Sequence, residues 1–179
     1  SAYLDENGLA DVRVHPMLVS KKSTLAHIDY VTNAVSLSGH PVGNITLSGP
    51  GAGEFPTASS VVGDILAIAA EIGKSDYILP MMRCKHSQNA QMKDISQTIN
   101  KYYISINAKN NKGVIGKIGT ICANHDISLA SIVQRCVSED NTADITVITE
   151  LVKEENMRNA IKLIEKDGNK VNSIIRVQV

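Results

Sequence analysis

The second half of the chain alternates between two hydrophobic periods, and this alternation limits its fold more than any other feature. A period of two, typical of strands, covers residues 102–108, 127–137, 143–150 and 171–179. A helical spacing covers residues 114–124 and 153–166. The order is therefore βαββαβ. It predicts a ferredoxin-like unit in which two helices cover one face of a four-stranded antiparallel sheet.

The first half contains short predicted strands followed by one strong helical pattern. Residues 11–18 alternate like a strand, and the apolar runs 31–37 and 42–47 flank a Gly/Pro turn that predicts an antiparallel hairpin. The helical pattern of residues 61–72 is apolar on more than one side, so we predict a buried helix. The whole chain is thus α+β: a partial mixed or antiparallel sheet segment with a buried helix, then the ferredoxin-like unit.

The ends of this helix are predicted from residues that favour caps. Either Pro56 begins the helix at no cost in hydrogen bonds, or Thr57 or Ser59 caps it, and Gly73 ends it. Residues 76–98 that follow are largely polar and show no sustained period in their central part. They predict a linker between one domain at residues 1–75 and another at residues 99–179.

Charge and cysteine content exclude several classes of function. Eighteen basic and eighteen acidic residues give no net charge, which argues against a nucleic-acid partner. No uncharged apolar stretch approaches the ~18 residues of a membrane span. The three cysteines are widely spaced and include no C-x-x-C pair, so we expect a reducing, cytoplasmic setting and no thiolate metal site.

A glycine-rich run, Ser-Gly-Pro-Gly-Ala-Gly over residues 48–53, lies between a predicted strand and the predicted helix. Glycines allow positive φ and bring bare N–H groups close to an anion, and a helix start adds positive potential. A phosphate or a carboxylate could bind here, and a tight turn without a ligand is the alternative. The spacing matches neither the G-x-G-x-x-G nor the Walker pattern.

This run, followed by Pro-Thr-Ala-Ser and ending at Asp64, resembles the end of the catalytic region of homoserine dehydrogenase, and the resemblance covers residues 10–73. It implies an NAD(P)-dependent enzyme that interconverts aspartate semialdehyde and homoserine, with NADP or NAD as cofactor. It further implies that Gly53 contacts the dinucleotide, with Gly51 and Ala52 beside it.

The same resemblance implies that the catalytic residues are not in this chain. The family's nucleotide-binding Rossmann domain, catalytic lysine and homoserine-binding acids precede the position of Ser1. We therefore assign no catalytic residue and expect the chain alone to be inactive. Lys21 and Lys22 are interpreted as a solvated turn, and His15 as a structural histidine in a strand.

The βαββαβ half resembles an ACT domain, an amino-acid-sensing module, at residues 110–115 and 125–134. Gly113 lets the backbone turn into the helix and frees N–H groups for a carboxylate, while side-chain amides can hold an amino-acid head group. The family usually has Pro where this chain has Lys112 and Gly where it has Asp126, and Asp tolerates a left-handed backbone better than most residues. The implied effector-binding residues are Asn110, Asn111, Gly113, Val114, Ile115 and Gln134.

Three functions are consistent with these resemblances. The first is the regulatory C-terminal portion of a homoserine dehydrogenase, for which the expected effector is threonine. The second is a free-standing amino-acid-binding regulator, and the third is a structural dimerisation module without a ligand. An exposed sheet edge or helix face also predicts a homodimer or higher homo-oligomer.

Overall fold

A computed structural model of the protein describes residues 1–72, 89–137 and 141–178. Contacts divide the chain into two compact units, one formed by Ser1–Val19 with Ala90–Val179 and the other by Ser20–Asn89. The predicted helix end at Gly73 and most of the predicted linker lie outside the described residues. The larger unit contains the whole ferredoxin-like region and also the first residues of the chain.

The larger unit is built around one sheet with the strand order β3-β10-β6-β8-β7. Its strands are β3 (Met17–Leu18), β6 (Ile99–Lys109), β7 (Leu129–Val137), β8 (Thr142–Thr149) and β10 (Lys170–Val177). The pairs β10–β6, β6–β8 and β8–β7 are antiparallel, as predicted for four strands of a ferredoxin-like sheet. The short β9 (Val152–Lys153) pairs with the start of β6.

Two helices, α2 (Val114–Ala123) and α3 (Glu154–Lys166), contribute the apolar side chains that complete the core. Alternate residues of β6 and β8 are buried, and Ile106, Ile145 and Val147 are fully excluded from solvent. They pack in one cluster with helix residues spaced three and four apart, namely Ile118, Cys122, Met157, Ala160, Ile161 and Ile164. The predicted βαββαβ order is confirmed.

Residues 1–19 belong to this unit because three short strands tie them to it. β1 (Ala2–Leu4) and β2 (Ala10–Val12) form a hairpin, and β3 pairs in parallel with the end of β10. The Ala10 N–H donates to the Gln91 carbonyl at 2.8 Å, and the Lys93 ammonium contacts Asp5 at 2.9 Å. The single strand predicted at residues 11–18 is therefore wrong. His15 and Pro16 interrupt it, because proline restricts the residue before it and lacks an N–H.

A buried carboxylate connects three elements of the unit. Glu154, at the start of α3, accepts hydrogen bonds from the Tyr102 hydroxyl of β6, from Arg176 of β10 at 2.8 Å and from Arg158 at 2.9 Å. Burial alone would raise the pKa of Glu154, but these hydrogen bonds outweigh it and lower the pKa. Burial and the contact with Glu154 raise the pKa of Tyr102 to about 12.

The smaller unit contains the predicted hairpin, β4 (Thr32–Gly39) with β5 (Gly43–Pro50), and one long helix, α1 (Glu54–Glu71). The helix begins earlier than predicted, with Gly53 as its N-cap, so Pro56 occupies the first turn, where a missing N–H costs nothing. Large apolar side chains on several sides of the helix are more than half exposed, among them Phe55, Val61, Leu66 and Ile68. The predicted burial of this helix is not seen within the unit, because the hairpin does not cover it.

Replacing Glu154 by glutamine should lower the free energy of unfolding by about 3 kcal/mol, because it leaves the largely buried guanidinium of Arg176 without a carboxylate. The lowered pKa means that this stabilisation is complete above the usual glutamate pKa of 4.5 and is lost as the pH falls through the folded-state value. Urea denaturation at pH 7 and pH 3 measures both effects. The exposed neighbour Glu155→Gln is the control, and equal losses in the two variants would contradict the prediction.

Replacing Leu18 by proline should release β3 from β10, since proline removes a ladder N–H and restricts residue 17. The Gln178 N–H donates to the Leu18 carbonyl at 2.8 Å, so its hydrogen exchange reports the pairing directly. We expect at least a ten-fold faster exchange of this amide. Leu18→Ala, which keeps the backbone pairing, is the control, and equal protection in both variants would show that β3 is not held by the ladder.

Candidate functional site

The loop between β6 and α2 forms a left-handed turn at the position that the sequence predicts. Gly113 has φ 90°, and the Val114 N–H closes the turn on the Asn111 carbonyl at 3.2 Å. α2 then begins without a side-chain cap and without an acidic residue in its first turn. The next N–H groups of this first turn, those of residues 115 and 116, have no partner in their own helix, so they are available to a carboxylate.

Beside this loop lies a cavity of about 450 Å³. It is lined by all six residues predicted to bind an effector, together with one lysine: Asn110, Asn111, Lys112, Gly113, Val114, Ile115 and Gln134. The strand β7 brings Gln134 to the loop, where its side-chain amide donates to the Asn110 side chain at 3.0 Å. The structure thus brings the predicted residues together, although Gln134 is distant from the loop in sequence.

The lining of this loop cavity combines the groups that an amino acid requires. The loop and the helix start offer backbone N–H groups for a carboxylate, and the amides of Asn110, Asn111 and Gln134 offer acceptors for an ammonium group. Val114 and Ile115 supply apolar surface for a short side chain. The second predicted loop feature is also present, since Asp126 has φ 55° in the tight connection after α2.

A second, smaller cavity adjoins the loop cavity and was not predicted. Its volume is about 160 Å³, and it shares Asn111, Lys112 and Val114 with the loop cavity. Its remaining lining is Lys109, Lys117 and residues 167–169. The spacing of the three lysines around the glycine could have indicated a basic site, whereas residues 167–169 come from the end of α3 and are joined only by the fold.

The glycine run before α1 shows why glycine is required at two of its positions. A Cβ added at Gly51 would overlap the side-chain amide of Asn33, and the Gly51 N–H donates to the Val31 carbonyl at 2.7 Å. Gly53 has φ 126° and caps α1 through its backbone alone, and Ala52 between them is exposed. Glu54 is the acidic residue of the first turn.

The residues that the sequence analysis set aside lie outside both sites. Lys21 and Lys22 form an exposed turn, as predicted. His15 lies between β2 and β3, not within a strand, and its Nδ1 is 2.9 Å from the Pro16 carbonyl.

No helix among the described residues is long and apolar enough to cross a membrane. Nor does any group of three or more His, Cys, Asp or Glu in residues 1–72, 89–137 and 141–178 have a geometry that could hold a metal ion.

Two family models match the chain in succession. The model for homoserine dehydrogenase matches residues 2–66, and the model for the ACT domain matches residues 102–169. The first covers the glycine run and most of α1. The second covers the loop cavity and both helices of the ferredoxin-like unit.

The proteins most relevant for comparison are named homoserine dehydrogenases. A homoserine dehydrogenase from Synechocystis sp. is 34% identical over 97% of this chain, and one from Helicobacter pylori is 35% identical over 87%. The crystal structure of a homoserine dehydrogenase from Thiobacillus denitrificans matches 99% of this chain with a TM-score of 0.82 and 29% identity.

The match is confined to one part of these relatives. The chain spans 41% of the Synechocystis protein and 41% of the Thiobacillus chain. The chain therefore combines the C-terminal region of the homoserine dehydrogenase family with an ACT domain that follows it.

Proposed function

We propose that this chain is the regulatory C-terminal portion of an NAD(P)-dependent homoserine dehydrogenase, which interconverts aspartate semialdehyde and homoserine in the cytoplasm. Its ACT domain binds an amino acid in the loop cavity. The observation that carries this proposal is the convergence of Asn110, Asn111, Gly113 and Gln134 around one cavity at the start of α2. Threonine, the end product expected for this family, is the first candidate effector.

In this proposal the effector's carboxylate binds the N–H groups at the start of α2. The left-handed Gly113 supports this role, because it directs the chain into the helix without placing a side chain over these groups. The ammonium group binds the amide oxygens of Asn110 and Asn111. The hydrogen bond from Gln134 to Asn110 keeps one of these amides in a fixed orientation.

We also propose that Gly51, Ala52 and Gly53 contact the dinucleotide in the intact enzyme. The close approach of Asn33 to Gly51 and the positive φ of Gly53 fit a compact loop that lets an anionic group come close to the backbone at the start of α1. When bound, the nucleotide supplies or accepts the hydride. These three residues hold the nucleotide, and the residues that act on the substrate belong to a Rossmann domain and a catalytic region that precede this chain.

Self-association is part of the proposed function. β7 is an edge of the described sheet, and an edge strand offers unpaired backbone groups to another chain. We propose a homodimer or a higher homo-oligomer. We further propose domain limits near residues 75 and 99, with Ser1–Val19 packed in the C-terminal unit.

Calorimetry should detect binding of L-threonine to this chain, and L-isoleucine, L-methionine and L-lysine are the comparison ligands. Gln134→Ala should weaken the binding about five- to ten-fold, because it removes a neutral hydrogen bond that orients the site. Arg135→Ala, the next residue on the same strand, is the control. A folded chain that binds none of the four amino acids would leave the dimerisation module as the better description.

The chain alone should not oxidise homoserine, even with excess NAD or NADP. Hydride transfer requires the nicotinamide and the substrate carbon to be held together, and the family's residues for this precede Ser1. Absorbance at 340 nm measures the reduced cofactor. Turnover that scales with the concentration of the purified chain would contradict the prediction.

A further inference from the structure

We propose that the effector site prefers an amino acid whose side chain carries an anionic group, a carboxylate or a phosphate. The amino-acid head group occupies the loop cavity, and the anionic group occupies the smaller adjoining cavity. This assignment rests on the amino-acid sensing proposed above and specifies its ligand. It follows from the charges of the two cavities and from the residues that they share.

The two cavities border on the same part of the loop. Asn111, Lys112 and Val114 line both of them, so a ligand that binds these residues borders on both spaces. The loop cavity of about 450 Å³ accommodates an amino-acid head group, and the smaller one, of about 160 Å³, has room for a group the size of a carboxylate or a phosphate. A neutral amino acid such as threonine fills only the loop cavity.

The charges of the combined site are predominantly positive. Lys109, Lys112 and Lys117 line it, and Asp167 is the one carboxylate among its described lining residues. Lys117 contacts this carboxylate at 3.2 Å. Lys109 and Lys112 form no ion pair with a described residue, so two ammonium groups remain available to a ligand.

One further donor that lines the smaller cavity, the side-chain amide of Asn169, is already engaged in a hydrogen bond. The side-chain amide of Asn169 already donates to the Ile164 carbonyl at 3.1 Å, at the C-terminal end of α3. Among the lysines that line this cavity, Lys109 and Lys112 have no ion pair with a described residue, so an anionic group there gains most from these two. An amino acid with a neutral side chain has only its backbone carboxylate to pair with these ammonium groups, so its side chain adds no electrostatic attraction to them.

Two matched pairs of ligands test the charge preference on the full chain. O-phospho-L-threonine against L-threonine tests a phosphate, and L-aspartate against L-asparagine tests a carboxylate at constant shape. In low salt we expect the anionic member of at least one pair to bind about five- to thirty-fold more tightly, as a few exposed ion pairs allow. The preference should shrink as the ionic strength rises.

Single variants assign the preference to the lysines. Lys109→Met should reduce the affinity for the anionic ligand several-fold and leave that for L-threonine unchanged, because Lys109 lines only the smaller cavity. Lys112→Met should weaken both ligands, since Lys112 lines both cavities. Asp167→Asn should increase the affinity for the anionic ligand, because it removes a negative charge from the cavity lining. Lys162→Met, an exposed lysine on α3 outside both cavities, is the control.

The outcomes separate this proposal from the general one. Tighter binding of an anionic ligand that is lost in Lys109→Met supports it, including when L-threonine does not bind at all. Binding of L-threonine with equal or weaker binding of its phosphorylated form and of L-aspartate overturns the charge preference and leaves amino-acid sensing in place. If none of the four ligands binds to the folded chain, the charge preference is wrong, and binding of L-isoleucine, L-methionine or L-lysine then decides whether the chain senses an amino acid.

Discussion

The buried carboxylate of Glu154 is the interaction on which the regulatory unit depends. Arg176 of β10, Tyr102 of β6 and the first turn of α3 meet at this one side chain, and it is 8% exposed. A buried charge is tolerated only when it is paired and hydrogen-bonded, so these elements must assemble together. Through β10 the same interaction positions the edge to which β3 binds. It also fixes α3, and residues 167–169, which directly follow this helix, line the basic cavity.

The proposed effector site is formed partly by local backbone geometry and partly by residues that the fold brings from distant parts of the sequence. Gly113 determines the turn and the uncapped helix start by its own conformation. The amide of Gln134 comes from β7, and Asp167 comes from the turn that follows α3. In the proposed site the loop therefore supplies the groups that any amino acid would use, whereas residues brought in by the fold would determine which amino acid binds best.

Much of the regulatory unit could be predicted from the sequence, because its hydrophobic periods are long and its turn residues are distinctive. The loop residues 110–115 and Gln134 were identified from the resemblance and from the chemistry of glycine and amides, and the left-handed Asp126 was identified in the same way. Three features could not be predicted. The break at His15 and Pro16 is too short to stand out from an alternating pattern. The exposed α1 depends on which partners are present, and the basic cavity depends on residues that lie far apart in sequence.

The path of the chain between its two units has a consequence for how such a protein can be altered. In chain order, residues 20–89 are inserted between Ser1–Val19 and Ala90–Val179 of the other unit. The ACT domain is consequently not a terminal module that can be cut off at the linker without effect. A deletion or gene fusion made near residue 98 would remove β10 and so leave β3 without its partner strand. Recombination that respects the structure must instead transfer both flanking segments together.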